Sequence, residues 1–247
     1  MLQLCPNGAR RLDEHNAVPV TPEQVAADVR AVVPLGVGSV HLHPRVAGGP
    51  ETMEPEEVAA AVTAVRAVAP DIEVGVTTAA WVEPDPTRRV AHVLRWADLG
   101  PGRPDVASVN VHEEGWREVV QALRMAGIGV ELGVWTALDA ARVRAAGLAD
   151  GAVRVLVEVV DPDPAAALVE ARRIIDELGD AEAPLLLHGE DTGCWPVLAE
   201  AGRRQLATRI GLEDTLLLPD GRLATSNAEL VATARRLLGG NHTTHPN

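Results

Sequence analysis

The chain has 247 residues, 22 basic against 35 acidic side chains, a net charge of −13 and 47% apolar residues, with five Trp and neither Tyr nor Phe. That apolar content excludes disorder, and an acidic chain with few rings is a poor nucleic-acid binder. No apolar run reaches the ~18 residues of a membrane span. Met1–Pro6 lacks the basic-then-apolar pattern of a secretory leader, and Cys5 and Cys194 are too few for a disulfide framework, so a cytoplasmic protein is expected.

Strands are expected over 2–5, 38–43, 72–78, 106–110, 128–134, 152–158, 184–188 and 207–212. Several are unbroken apolar runs, which suits strands covered on both faces. Ala-rich helices lie between them. Residues 55–69 set Val58, Val62, Val65 and Ala69 on one stripe, and 164–178 do the same with Leu168, Ala171, Ile175 and Leu178. Thr21-Pro22-Glu23-Gln24 and Ser226-Asn227-Ala228-Glu229 have capping-box spacing, and Pro22 and Pro164 suit first turns. Eight strand-then-helix units in this length predict an α/β fold, a (β/α)8 TIM barrel forming a single domain over 1–238. An open doubly wound sheet would show a glycine-rich fingerprint after its first strand, where this chain has Pro6-Asn7-Gly8. Residues 239–247 read as a flexible C-terminal tail.

In such a barrel the chemistry sits at the C-terminal ends of the strands. Polar residues gather there: Asn7 and Arg10 after strand 1, His41, His43 and Arg45 at strand 2, Thr77 and Thr78 at strand 3, and Ser108 and Asn110 at strand 4. Glu131 lies on strand 5, Glu158 and His188 end strands 6 and 7, and strand 8 carries Arg209, Glu213 and Asp214. Polar side chains in apolar strands are costly unless paired, so their presence asks for a reason. His41 and His43, two apart on a strand, face one space; with a carboxylate they make a catalytic metal set, and Glu213 is the third ligand expected. Asp214 is then free to serve as general base with Arg209 holding it ionised, or the two form a structural pair at the barrel mouth. Arg10, Arg45 and Arg209 predict a cationic mouth for an anionic substrate, whereas Arg11 reads as a surface ion pair. His112 and His188 are expected to support the site, His15 to sit in a solvated loop, and both cysteines to be core. Trp81, Trp135 and Trp195 are expected to wall the pocket, and Trp96 and Trp116 to pack helices.

Four stretches resemble the β-keto acid cleavage enzymes, the family of the 3-keto-5-aminohexanoate cleavage enzyme. They are CPNGAR (5–10) with VPVTPEQ (18–24), SVHLHPR (39–45), ASVN (107–110) and RIGLEDTLLLPDGRLATSNAELV (209–231). The resemblance implies a (β/α)8 barrel with one Zn2+ per chain on His41, His43 and Glu213. It implies Asp214 and Arg209 as the acid–base pair, with Thr77, Ser108, Asn110, Glu131 and Arg10 around the substrate. The implied reaction is a retro-Claisen cleavage in which a β-keto acid and acetyl-CoA give acetoacetate and a new acyl-CoA, usually in a homo-oligomer. Two alternatives stay open: a CoA-independent divalent-metal lyase, aldolase or hydrolase on a small oxo-acid, and a non-catalytic metal-binding barrel. The run Glu158-Val159-Val160-Asp161-Pro162-Asp163 bears on the choice, because its carboxylates are unfavourable beside an anionic thioester.

Overall fold

The computed structural model describes residues 1–239 apart from Gly48, Pro162 and Ala181. Eight parallel strands, β1 (Leu2–Leu4), β2 (Ser39–Leu42), β3 (Glu73–Thr77), β4 (Val106–Asn110), β5 (Gly129–Val134), β6 (Arg154–Val159), β7 (Leu185–Gly189) and β8 (Thr208–Ile210), pair in the order β7-β6-β5-β4-β3-β2-β1-β8. A bridge between Leu186 and Ala207, with the Leu187 amide donating to the Ala207 carbonyl at 2.9 Å, brings β8 against β7. The result is a nearly closed barrel. Helices α1 (Pro22–Val32), α2 (Pro55–Val68), α3 (Pro86–Trp96), α4 (Trp116–Met125), α5 (Ala137–Ala146), α6 (Pro164–Leu178), α7 (Cys194–Arg203) and α8 (Asn227–Gly239) alternate with the strands. Every expected strand is present with ends within one or two residues. Helix α8 includes Gly239, the first residue of the expected tail; the rest of that tail lies outside the described residues.

Helix entries follow from the predicted caps. Thr21 Oγ1 accepts the Gln24 amide at 3.3 Å while the Gln24 side-chain oxygen Oε1 accepts the Thr21 amide at 3.1 Å, a complete capping box with Pro22 in the first turn. The box before α8 is only half formed. Ser226 Oγ accepts the Glu229 amide, but the Glu229 carboxylate turns to the amide and hydroxyl of Thr225 instead. Asn227 compensates by accepting the Leu212 amide at 2.8 Å and donating to the Pro6 carbonyl at 3.0 Å. That ties α8 to the ends of β1 and β8, where the polar residues collect.

The strand expected over 207–212 ends at Ile210, because the chain turns over Gly211–Thr215: the amides of Asp214 and Thr215 both donate to the Gly211 carbonyl. The turn decides how the neighbours Glu213 and Asp214 can share one partner. Trp96 and Trp116 are buried in helix packing, as expected, and the Trp96 indole donates to the Met53 carbonyl at 3.0 Å.

Candidate metal centre and cavity

His41 on β2 and His43 just beyond it are both buried, and their Nε2 atoms are 3.2 Å apart. Glu213 Oε1 lies 3.7 Å from His43 Nε2, and one ligand atom from each of the three falls within 4.8 Å of the others. Ligand atoms about 2.0–2.2 Å from a tetrahedral ion stand roughly 3.3–3.6 Å apart, so the three residues fit a divalent metal. The donor chemistry agrees. Burial, then the neighbouring His43, Arg209 and His188, hold the His41 imidazole well below its ordinary pKa and therefore neutral. Glu213 Oε2 and His41 Nδ1 are buried without a protein partner. Gly8 makes room: at φ +51° it accepts a conformation that other residues resist, and a Cβ there would stand 2.4 Å from Glu213 Cγ.

A surrounding shell orients His43. Asn7 accepts its amide at 3.1 Å and donates to its carbonyl at 3.0 Å. The far ring nitrogen, Nδ1, is hydrogen-bonded to Glu51, which also accepts the Trp81 indole N–H at 3.4 Å. Trp81 lies nearly parallel to the His43 ring, with centroids 6.3 Å apart. Burial raises the Glu51 carboxyl, but the His43 hydrogen bond and charge, with Trp81 and Arg45, outweigh it and keep the group ionised. Glu51 was not legible in the sequence, since it lies in a loop and reaches His43 only by the folding back of residues 45–51.

The triad opens into a cavity of about 270 Å³ at the C-terminal ends of the strands. Thr77, Ser108 and Asn110 line it, with Trp81, Trp135 and Arg209. Arg209 donates from Nε to Asp214 and from Nη2 to Glu213, each at 2.9 Å. Asp214 is wholly buried behind Arg209 and is not part of the cavity wall. Thus the expected general base touches the cavity only through its guanidinium partner.

Several expectations are corrected. Glu131 is wholly buried beneath the cavity, where Arg154 Nη1 approaches it at 3.2 Å and Gln3 donates to it at 3.3 Å; it braces the barrel interior with Glu73 and Ser39. Its register partner Ser108 lines the cavity, but Arg154 and Gln3 hold the Glu131 side chain below it. The cations expected at the mouth are engaged by partners. Arg10 lines the cavity but is paired with Asp191 and Glu14, while Arg45 donates to the carbonyls of Gly8 and Arg10 and braces their loop. Finally, His15 is buried, its Nε2 2.7 Å from the Ala224 carbonyl oxygen, rather than solvated.

His188 is buried, with Nδ1 3.5 Å from Asp214 and Nε2 3.6 Å from Glu158. His112 is exposed and packs on Trp135, and Trp195 turns to the Leu217 carbonyl, away from this cavity. Arg11 forms its surface pair with Asp13, and both cysteines are buried, free and held well above the ordinary thiol pKa by that burial. Glu190, unforeseen, lines the cavity next to Glu158.

The profile of the beta-keto acid cleavage enzyme family matches residues 1–244. Among solved structures, ObcA in binary complex with oxaloacetate is similar at 17% identity and a TM-score of 0.69, over 92% of this chain and 65% of that one. ObcA in ternary complex with a C4-CoA adduct and oxalate is similar at 18% identity and a TM-score of 0.68, over 91% and 64%. This chain therefore spans just under two thirds of the length of ObcA. The type I 3-dehydroquinate dehydratase of Clostridium difficile shares the fold at 11% identity and a TM-score of 0.65, over 97% and 92%. Among the described residues no helix is long and apolar enough to cross a membrane.

Proposed function

The chain belongs to the beta-keto acid cleavage enzyme family, and from that premise we propose that it cleaves the C2–C3 bond of a small β-keto carboxylate in the cavity beside His41, His43 and Glu213. The single observation that carries this reading is the convergence of those three ligand atoms at the wall of a cavity sized for a small molecule. A bound divalent ion, zinc by the family's habit, would supply a Lewis acid for the keto and carboxylate oxygens and so favour electron density on C2. His41 and His43 would hold it through Nε2, with Glu51 fixing the tautomer of His43.

The remaining roles belong to the chain's own groups. Thr77, Ser108 and Asn110 present hydrogen-bonding atoms to the substrate on the strand 3–4 side. Gly133 permits this, since a Cβ there would stand 2.6 Å from Asn110 Oδ1. Arg209 faces the oxygens that gain charge, and Asp214 holds it charged and aimed: burial lowers the Arg209 pKa, but Asp214 and Glu213 among other anions raise it far more. Asp214 is accordingly assigned to positioning Arg209. Arg10 is assigned to the rim.

The acceptor is a separate question, because the triad serves only the donor half of the reaction. Acetyl-CoA is the acceptor the family brings, with acetoacetate and an acyl-CoA as products. The test of the reading is metal content, measured on protein purified without a metal-binding tag, followed by a panel of β-keto acids assayed with and without acetyl-CoA. About one zinc per chain, lost in Glu213→Gln together with turnover, is expected. A protein that takes up no divalent metal refutes it.

A further inference from the structure

Trp81 follows β3 and closes the cavity on the side of the triad. The residue is 49% exposed and also lines the cavity, so its ring stands at the mouth, between the metal centre and solvent. Two tethers hold it there. The ring lies 22° from parallel to that of His43, with centroids 6.3 Å apart, and the indole N–H donates to Glu51 at 3.4 Å. The loop beneath is fixed as well. The amides of Val82 and Glu83 both donate to the Ala79 carbonyl, closing a turn around Trp81. Glu113 Oε1 accepts the Ala80 amide and the Asn110 side-chain amide, each at 3.0 Å, while Oε2 pairs with the buried Arg89 at 2.5 Å. Trp81 and Asn110, both on the cavity wall, thus hang from one buried carboxylate.

We propose that Trp81 is the specificity-determining residue of this site: it meets the substituent on the keto carbon and limits the substrate to 3-oxo carboxylates with a short alkyl chain there. The proposal rests on β-keto acid cleavage at the triad and concerns only which acids are taken.

With the keto and carboxylate oxygens at the metal side, the substituent must lie against another wall. Most of the lining is a poor host for an alkyl chain. Thr77, Ser108 and Asn110 on the β3–β4 side, and Glu158 and Glu190 beyond β6 and β7, carry polar groups that a chain would cut off from water. The large apolar surfaces are Trp81, Trp135 and Leu156. Trp135 follows β5 and Leu156 lies on β6, well round the barrel from β2, whereas Trp81 packs on the ring of a triad histidine. It is therefore the apolar wall beside the keto carbon.

That wall does not yield easily. Turning the indole away breaks its contact with His43 and its hydrogen bond to Glu51 together. Space is short as well: the cavity, about 270 Å³, falls below the ~300–1,000 Å³ of sites for drug-sized ligands. A short chain can lie against the ring, while a long one must leave through the place the ring occupies.

The experiment compares zinc-loaded wild type, Trp81→Phe and Trp81→Ala on 3-oxopentanoate, 3-oxohexanoate and 3-oxooctanoate. Consumption of each acid is followed with and without acetyl-CoA. A second readout needs no turnover: calorimetry measures binding of the matching 3-hydroxy acids, which lack the keto group and cannot be cleaved. Wild type should prefer the five-carbon acid, losing roughly 10–200-fold in kcat/KM for a methylene that no longer fits. Trp81→Ala should improve the eight-carbon acid relative to the five-carbon one by roughly 10-fold or more, with the same trend in binding. Trp81→Phe keeps a ring and loses the donor to Glu51, so its zinc affinity should fall slightly while its order of preference stays that of wild type. Should Trp81→Ala fail to fold or to hold zinc, Trp81→Leu takes its place. An order of preference unchanged by the smaller side chain, in turnover and in binding, overturns the proposal and leaves β-keto acid cleavage standing. A preference for acids with charged or hydroxylated chains over these three overturns the alkyl chain. Consumption of no β-keto acid at all removes the underlying reading instead.

Discussion

Arg209 and Asp214 form a wholly enclosed ion pair, Nε to Oδ1 at 2.9 Å, in which only the arginine reaches the cavity. Breaking such a pair from one side leaves an uncompensated buried charge. Asp214→Ala is therefore expected to destabilise the protein by about 3–5 kcal/mol, while Arg209→Ala, which strands Asp214 and releases Glu213, should cost as much. Asp214→Asn keeps the shape and should lower kcat with a smaller change in the denaturation midpoint. Urea unfolding alongside steady-state kinetics separates the two effects; an Asp214→Asn variant with normal kcat contradicts the positioning of Arg209.

The triad predicts ligand-linked stability. Zinc at about a hundred times its dissociation constant should stabilise the fold by about 2.7 kcal/mol, since the unfolded chain loses the preformed geometry. His41→Ala should lose both the metal and the zinc-dependent rise in Tm, which thermal melts with and without added zinc would reveal. A rise that persists in His41→Ala places the metal elsewhere.

Glu51 sets the ring of His43 through Nδ1, leaving Nε2 for the metal. Removing an outer partner of this kind costs roughly 10–100-fold in metal affinity. Glu51→Gln is expected to fall in that range when zinc is titrated against a competing chelator. Trp81→Phe removes the indole donor to Glu51 and should have a smaller effect in the same direction. Equal affinities in wild type and Glu51→Gln would mean that the Asn7 clamp on the His43 backbone suffices.

The Glu158–Glu190 pair makes stability depend on pH in a defined sense. Glu190 is raised from 4.5 to about 8, faced by Glu158 from β6, His188 from β7 and Arg209 from β8. Its contribution is whole below about pH 4.5, declines as the unfolded chain ionises and the folded one does not, and is spent once pH passes 8. Glu158, lowered to about 2, contributes fully above 4.5 and loses that only toward pH 2. Between pH 5 and 8 the Tm of wild type should therefore fall relative to that of Glu190→Gln. His188 also favours its charged form, its two carboxylate partners outweighing burial and Arg209, but it is present in both proteins. A constant Tm difference across this window contradicts the raised Glu190 carboxyl.

Beneath the cavity, Arg154 joins Glu73 and Glu131 in a buried cluster with Gln3 and Ser39. Arg154→Met should destabilise by about 3–5 kcal/mol, because Glu131 would lose its buried counter-charge. Glu131→Gln should shift the melting transition and leave KM for the β-keto acid unchanged. A selective loss of KM would return Glu131 to the substrate site.

The barrel itself was legible in the sequence. Its strands are short apolar runs and its helices amphipathic stripes begun by signals such as Thr21, Pro22 and Pro164, and both periods are local properties of the chain. His41 and His43 were legible for the same reason: a two-residue spacing on a strand fixes a shared face without reference to the rest of the molecule. Glu213 could be paired with them because neighbouring strand ends must meet when a barrel closes. Depth and partnership were decided only by the tertiary structure. Glu131 and Ser108 are register partners, yet one braces the interior and the other lines the cavity. Asp214 retreats behind Arg209 because the chain turns at Gly211, and Arg10 and Arg45 are consumed by partners that sequence distance conceals. Glu51 and Glu190 acquire roles only through what folding brings beside them, His43 in one case and Glu158 in the other. A charge is read from one residue, but whether it is free to act depends on its neighbours in space, and those belong to the fold.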